Sequence, residues 1–215
     1  MNRIAKAKKI SLILNDLYPK QPIPLKHSSA YTLLVAVMLS AQTTDKKVNQ
    51  VTPKLFKLAN TPEKMAVLEV KIIQNIIKEI GLAPTKAKNL KKMAEQLIIG
   101  GGMRGEWTYL ESLAGVGHKT ASVVMSQWYG FPAFPIDTHI HRLAQRWGLT
   151  NGKNVIQTEK DLKRIFPKKT WSKLHLQIIF YGREFCKARD CYGLSCEICT
   201  SCYPNRKKPV ITKKA

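Results

Sequence analysis

"LAGVGHKTASVV", residues 113–124, is the stretch from which the fold can be read. Leu113 closes one helical pattern, Gly115 and Gly117 flank Val116, and a second helical pattern resumes through Ala121. Both glycines suit a positive φ in a tight turn. A helix that starts directly after such a turn presents backbone N–H groups without intrahelical partners at the positive end of its dipole, which makes an anion site. A phosphate held there would fix the register of a polyanion without reading its sequence. Gly-x-Gly alone also occurs in ordinary helix–helix turns. The longer run L-x-G-V-G-x-K-T-A is far more specific.

The charge balance points the same way. Thirty-six Lys and Arg stand against 14 Asp and Glu, a net charge of +22 over 215 residues. Such an excess repels itself in a folded chain, and nucleic acid is the commonest partner that offsets it. A membrane-facing or merely solubilising basic surface is the alternative. Hydrophobic residues make up 44% of the chain, enough for a packed core rather than a disordered one. The N-terminus mixes lysines with apolar residues at helical spacing, unlike a signal peptide. The most apolar window, 30–42, is too short to cross a bilayer, which takes about 20 residues. A cytoplasmic protein is expected, associated with the nucleoid through DNA.

Helical periodicity dominates the rest. Ile10, Leu12, Ile13, Leu14 and Leu17 predict a first helix ending near Pro19. Residues 30–40 read as a buried helix. Thr44 or Asp45 would cap the next one, with Pro53 inside it as a kink or break. Thr61 and Pro62 mark another start. The pattern over 69–81 predicts a helix that stops at Gly81, and the run from Thr85 predicts one that stops at Gly100–Gly102. Further helices are expected at 107–113, 118–129, 138–147, 158–166 and 171–181. No alternating run is long enough for a strand, so the expectation is all-α.

In "PIDTHIHR", Asp137 reads as the N-cap of the following helix. His139 and His141 fall on different sides of that helix and make a poor metal pair. All five cysteines lie between 186 and 202. Five is an odd number for disulfides, and four thiolates suit zinc or an iron–sulfur cluster.

"LAGVGHKTASVV" followed by "PIDTHIHRLAQRWGL" (135–149) resembles the helix–hairpin–helix DNA glycosylases, and within them the endonuclease III family. "LLVAVMLSAQTTDKKVN" (33–49), "IGLAPTKAKNL" (80–90) and "FYGREFC" (180–186) are similar to the corresponding family segments, in the same order. The resemblance implies two helical domains: a six-helix domain over 23–131 carrying the hairpin, and a discontinuous iron–sulfur-loop domain from 1–22 plus 132–204. A basic tail, 205–215, follows.

It also implies a chemistry. Lys119 matches the family's Schiff-base nucleophile, whose amine attacks C1′ of a nucleotide, expels the base and leads to β-elimination. That amine must lose its proton, so its pKa has to fall from about 10.4; a helix N-terminus and partial burial both favour this, and neighbouring phosphates oppose it. Asp137 matches the catalytic aspartate that stabilises positive charge on the sugar or assists proton transfer. Gln42 matches a residue that enters the space left by a flipped base, and Leu82 one that wedges into the duplex; from periodicity alone Leu82 belongs to the core. Gly115, Val116, Gly117 and His139 complete the expected DNA contacts. The partner implied is damaged double-stranded DNA, bound by a monomer with no membrane or obligate protein partner.

The implied cofactor is a [4Fe–4S] cluster, with family spacing C-x6-C-x2-C-x5-C. Cys186, Cys196 and Cys202 fall on the first, third and fourth positions, but the second is Gly193. Cys199 or Cys191 must take its place; Cys199 gives the compact C-x2-C-x2-C run, so the expected set is Cys186, Cys196, Cys199 and Cys202. Two rival readings share the DNA-binding features. One is a monofunctional adenine-type glycosylase in which Lys119 is a bystander; the other is a DNA-binding module without activity.

Overall fold

A computed structural model describes all residues 1–215. It holds α1 (Arg3–Leu17), α2 (Ala30–Ser40), α3 (Asp45–Leu58), α4 (Pro62–Ala66), α5 (Val70–Ile76), α6 (Ala83–Ile99), α7 (Trp107–Ser112), α8 (His118–Gln127), α9 (Thr138–Arg146), α10 (Val155–Ile165), α11 (Trp171–Glu184) and α12 (Glu197–Cys202), with no strand. No helix is long and apolar enough to cross a membrane. The chain divides into two units, 23–130 and 1–22 with 131–215.

In unit 23–130, α2 is the central helix. It carries no charged side chain, and Ala30 through Leu39 are all buried. A helix apolar on every side needs cover on every side, and α3, α6 and α8 supply it. Ser29 and Thr32 form a capping box at its start. Thr44, not Asp45, caps α3, and α3 runs unbroken through Pro53. The predicted helix over 69–81 is shorter than its pattern. It ends at Ile76, and the amide of Ile80 donates to the Ile77 carbonyl in a turn at 2.8 Å. That turn lets Ile73, Ile77 and Ile80 all reach one core.

The other unit joins the N-terminal helix to the C-terminal third of the chain. Ile10 and Leu14 of α1 pack with Ile140, Leu143, Trp147, Leu162 and Ile178. The fully buried Gln177 of α11 donates to the carbonyls of Leu14 and Tyr18, at 3.1 and 2.8 Å. The Leu14 carbonyl also accepts from the Tyr18 amide, so the bond that supplies a missing partner is the one to the Tyr18 carbonyl just past the end of α1.

Candidate functional site

The hairpin is built as a plug and a rim. Val116 is buried, and its amide donates to the Leu113 carbonyl at 3.0 Å. Gln96 of α6 pins the turn from beside it: its Oε1 accepts from the Ala114 amide at 2.7 Å and its Nε2 donates to the Ser112 carbonyl at 3.3 Å. The two glycines differ, contrary to expectation. Gly115 has φ +77°, and a Cβ there would stand 2.9 Å from Met38 Sδ and from Asn89 Nδ2. Gly117 is extended, at φ −90° and ψ 174°, and serves as the N-cap of α8. A Cβ on Gly117 would meet nothing within 4 Å. Its backbone lies open, and no side chain caps the first turn of α8, so the amides of Lys119 and Thr120 at the positive end of its dipole form an anion site.

Gly115→Ala is therefore expected to lower stability by about 1–3 kcal/mol and to weaken duplex binding. Gly117→Ala should cost less than about 1 kcal/mol. Thermal unfolding and a binding titration on both variants check this.

Lys119 is exposed, so the partial burial expected for its amine is not supplied by the fold. Beside it, His118 sits 2.7 Å from Glu111 and stacks on Trp107 at 5.9 Å.

Gln42 and Leu82 lie on the same unit and share an unusual backbone. Gln42 has φ +57° and Leu82 φ +61°. Non-glycine residues held there cost about 1–3 kcal/mol each and cluster at functional sites. Gln42 is exposed, and Leu82 is 58% exposed. The core reading of Leu82 is thus corrected: the left-handed turn at the start of α6 throws its side chain outward while Ile80 and Ala83 turn in.

On the other unit, Asp137 is buried and caps α9, its Oδ1 accepting from the Ile140 amide at 2.8 Å. His139 is half-buried, with Nδ1 3.3 Å from Arg142 Nη2. His141 is buried, its Nδ1 2.8 Å from Thr158 Oγ1, and desolvation pulls its pKa down. It is a neutral core histidine.

The helix that Asp137 caps is clamped to the cysteine loop by two arginines that the sequence reading passed over. Arg142 donates to the carbonyls of Gly182 and Cys186, each at 3.1 Å. One turn on, the buried Arg146 donates to the Cys186 sulfur at 3.2 Å and to the Lys187 and Ala188 carbonyls at 2.7 and 3.0 Å. Lys187 and Arg189 stand exposed on that loop.

The sulfur atoms of Cys186, Cys191, Cys196 and Cys199 lie within 4.8 Å of one another, all buried. Cys202 is outside this group. The expected set is corrected at that position: Cys191 takes the place given to Cys202. Tyr192 and Gly193 are consecutive left-handed residues, at φ +46° and +84°. They turn the loop so that the Leu194 amide reaches the Cys191 carbonyl at 2.8 Å and Cys191 faces inward. Cys202 lies at the end of α12, in the field of Lys6, Arg206 and Lys9. Gly193 has no room for a ligand side chain. A Cβ there would stand 2.9 Å from Arg206 Nη1 and from Val210 Cγ2.

Those two residues belong to the segment expected as a basic tail, which instead runs back over the loop. The Val210 amide donates to the Tyr192 carbonyl at 2.9 Å, Arg206 donates to the Gly193 carbonyl at 2.9 Å, and the Lys213 amide to Gln145 Oε1 at 2.8 Å.

Residues 35–168 match the HhH-GPD superfamily of base excision DNA repair proteins. The chain is 39% identical to endonuclease III of Bacillus subtilis strain 168 over 198 residues, covering 91% of this chain and 90% of that protein. It is 40% identical to endonuclease III of Escherichia coli K12 over 197 residues, covering 90% and 93%. The chain belongs to the endonuclease III family. Its fold superposes on a trapped endonuclease III–DNA covalent intermediate with a TM-score of 0.87 and 36% identity, over 92% of this chain and 94% of that one.

The [4Fe–4S] cofactor of this family fits the donor set. It is all thiolate, with no nitrogen or carboxylate in the group, as such clusters require. Arg146 at the Cys186 sulfur and the Cys196 amide 3.4 Å from the Cys191 sulfur offset the negative charge of such a centre.

Proposed function

We propose that the chain is a bifunctional DNA glycosylase and AP lyase that removes oxidised pyrimidines from duplex DNA in base excision repair. The observation that carries this is the uncapped N-terminus of α8 with Lys119 in its first turn. The amides of Lys119 and Thr120 bind a phosphate of the damaged strand and so bring the neighbouring sugar to the amine. Lys119 Nζ forms a bond to C1′ as the C1′–N bond to the base breaks, and the base leaves with a proton. Loss of a further amine proton and opening of the sugar ring give the Schiff base. Removal of a C2′ proton then expels the 3′ phosphate, and water releases the enzyme. Asp137 is the carboxylate that stabilises charge on the sugar or carries the proton. The target base must leave the stack first; Gln42 fills its place and Leu82 wedges the duplex. Gly115, Val116, Gly117 and His139 position the backbone. Cys186, Cys191, Cys196 and Cys199 would hold the cluster, which would brace the loop that Arg142 and Arg146 tie to α9.

The test is borohydride reduction with a thymine-glycol duplex and an undamaged duplex. A covalent adduct and strand nicking on the damaged duplex alone support the proposal. Base release without an adduct would make the chain monofunctional, and binding without base release would make it a DNA-binding module.

A further inference from the structure

We propose that Lys86 is a positioning residue that fastens Gln42 and Leu82 into a single duplex-probing element. The inference rests on the reading above, in which those two side chains enter the duplex. Gln42 and Leu82 come from turns 40 residues apart, yet the turns pack together: a Cβ on Gly81 would stand 3.6 Å from the Gln42 carbonyl and 3.8 Å from Thr43 Oγ1. Both residues are left-handed and exposed, so neither side chain's own packing holds its backbone there. Something adjacent must.

Lys86 bonds both turns. Its backbone amide donates to the Leu82 carbonyl at 3.0 Å, closing the first turn of α6. Its Nζ donates to the carbonyls of Leu39 and Ala41, at 2.9 and 2.6 Å. Those are orphan carbonyls at the end of α2, where a cation also meets the negative end of the helix dipole, and Ala41 is the residue before Gln42. The side chain is buried, at 6% exposure. Burying an ammonium is a costly way to hold a fold, and an apolar side chain of similar volume does so as well or better. What the amine adds is geometry: one atom tied to α2 on a residue whose backbone is tied to Leu82. A nearby ion pair, Lys47 of α3 to Glu79 at 2.6 Å, is solvent-exposed and contributes little.

The measurement is a ratio. Its numerator is kcat on a thymine-glycol duplex, which needs the base flipped and the gap filled. Its denominator is nicking of an abasic single strand, which needs Lys119 but no probing of a duplex. Lys86→Met keeps the stem and removes the donors; Lys86→Gln keeps a shorter donor. Relative to the unmodified chain, the ratio is expected to fall roughly 10²-fold in Lys86→Met and by less in Lys86→Gln. 2-Aminopurine opposite the lesion should lose its fluorescence response in parallel. A purely structural lysine would lower numerator and denominator together and leave the ratio constant, which would overturn the proposal. If one variant does not fold, the ratio in the other decides. Absence of base release by the unmodified chain would instead remove the functional reading on which the inference stands.

Discussion

Lys119→Gln is expected to yield no borohydride-trapped adduct and to nick abasic duplex at least about 10³-fold more slowly, the scale on which enzymes lose activity when a covalent nucleophile is removed. The substitution removes the amine but keeps the backbone N–H groups of the α8 first turn, so duplex affinity should change little. Lys119 is exposed, so the desolvation that favours a neutral amine has to come from the DNA that covers it. The companion variant is Asp137→Asn. Asn caps a helix about as well as Asp, so the bond to the Ile140 amide survives and the unfolding temperature should hold. The negative charge is lost, and the base-release rate should fall by about 10²–10⁴. Asp137→Ala would lose the cap as well, at a cost of roughly 1 kcal/mol. A normal rate in Asp137→Asn, measured in single turnover, would leave that residue as a cap and nothing more. Parental nicking by Lys119→Gln would reduce the hairpin to a grip on DNA.

The second large effect is expected at the cysteines. Cys191→Ala should strip the protein of iron and of its broad visible absorbance, and lower the unfolding temperature as the α9 clamp loosens. Cys202→Ala should keep both iron and colour. The family spacing alone would rank these variants the other way, because Cys202 stands where the fourth ligand is expected. The structure reverses the order because Cys191 lies in the group of four sulfurs and Cys202 does not. Pairs of these sulfurs at 3.9 Å also match the edge of a single-ion tetrahedron with metal–sulfur bonds of about 2.3 Å. Zinc and acid-labile sulfide are therefore measured beside iron. A colourless protein with one zinc would overturn the cluster while leaving the ligand set intact; loss of metal in Cys202→Ala would overturn the ligand set.

Features encoded in short runs are legible in the sequence itself. The hairpin, the caps at Thr61 and Asp137, the choice of Thr44 or Asp45 at the start of α3, and the burial of the 30–40 helix each follow from a few neighbouring residues. Local pattern misled where the answer depended on a partner far along the chain. Leu82 reads as core because a leucine at helical spacing does, yet a strained turn points it at solvent. Gly117 reads like Gly115, but Met38 and Asn89 crowd only Gly115. Lys86 is one of 36 basic residues, and nothing in its neighbours announces that its amine meets carbonyls at 39 and 41.

The order of motifs along this chain, its charge and its clustered thiols were enough to establish an all-helical fold and a family, because each is a property of contiguous residues. Which four of five sulfurs converge, and what packs beside the left-handed turns at Gln42 and Leu82, depended on contacts between residues distant in sequence. Arg206 and Val210 close over Gly193, and Lys86 reaches back to the end of α2. Such pairings exist only once the helices have packed, since the free energy that fixes them comes from burial shared across the fold and not from any one segment.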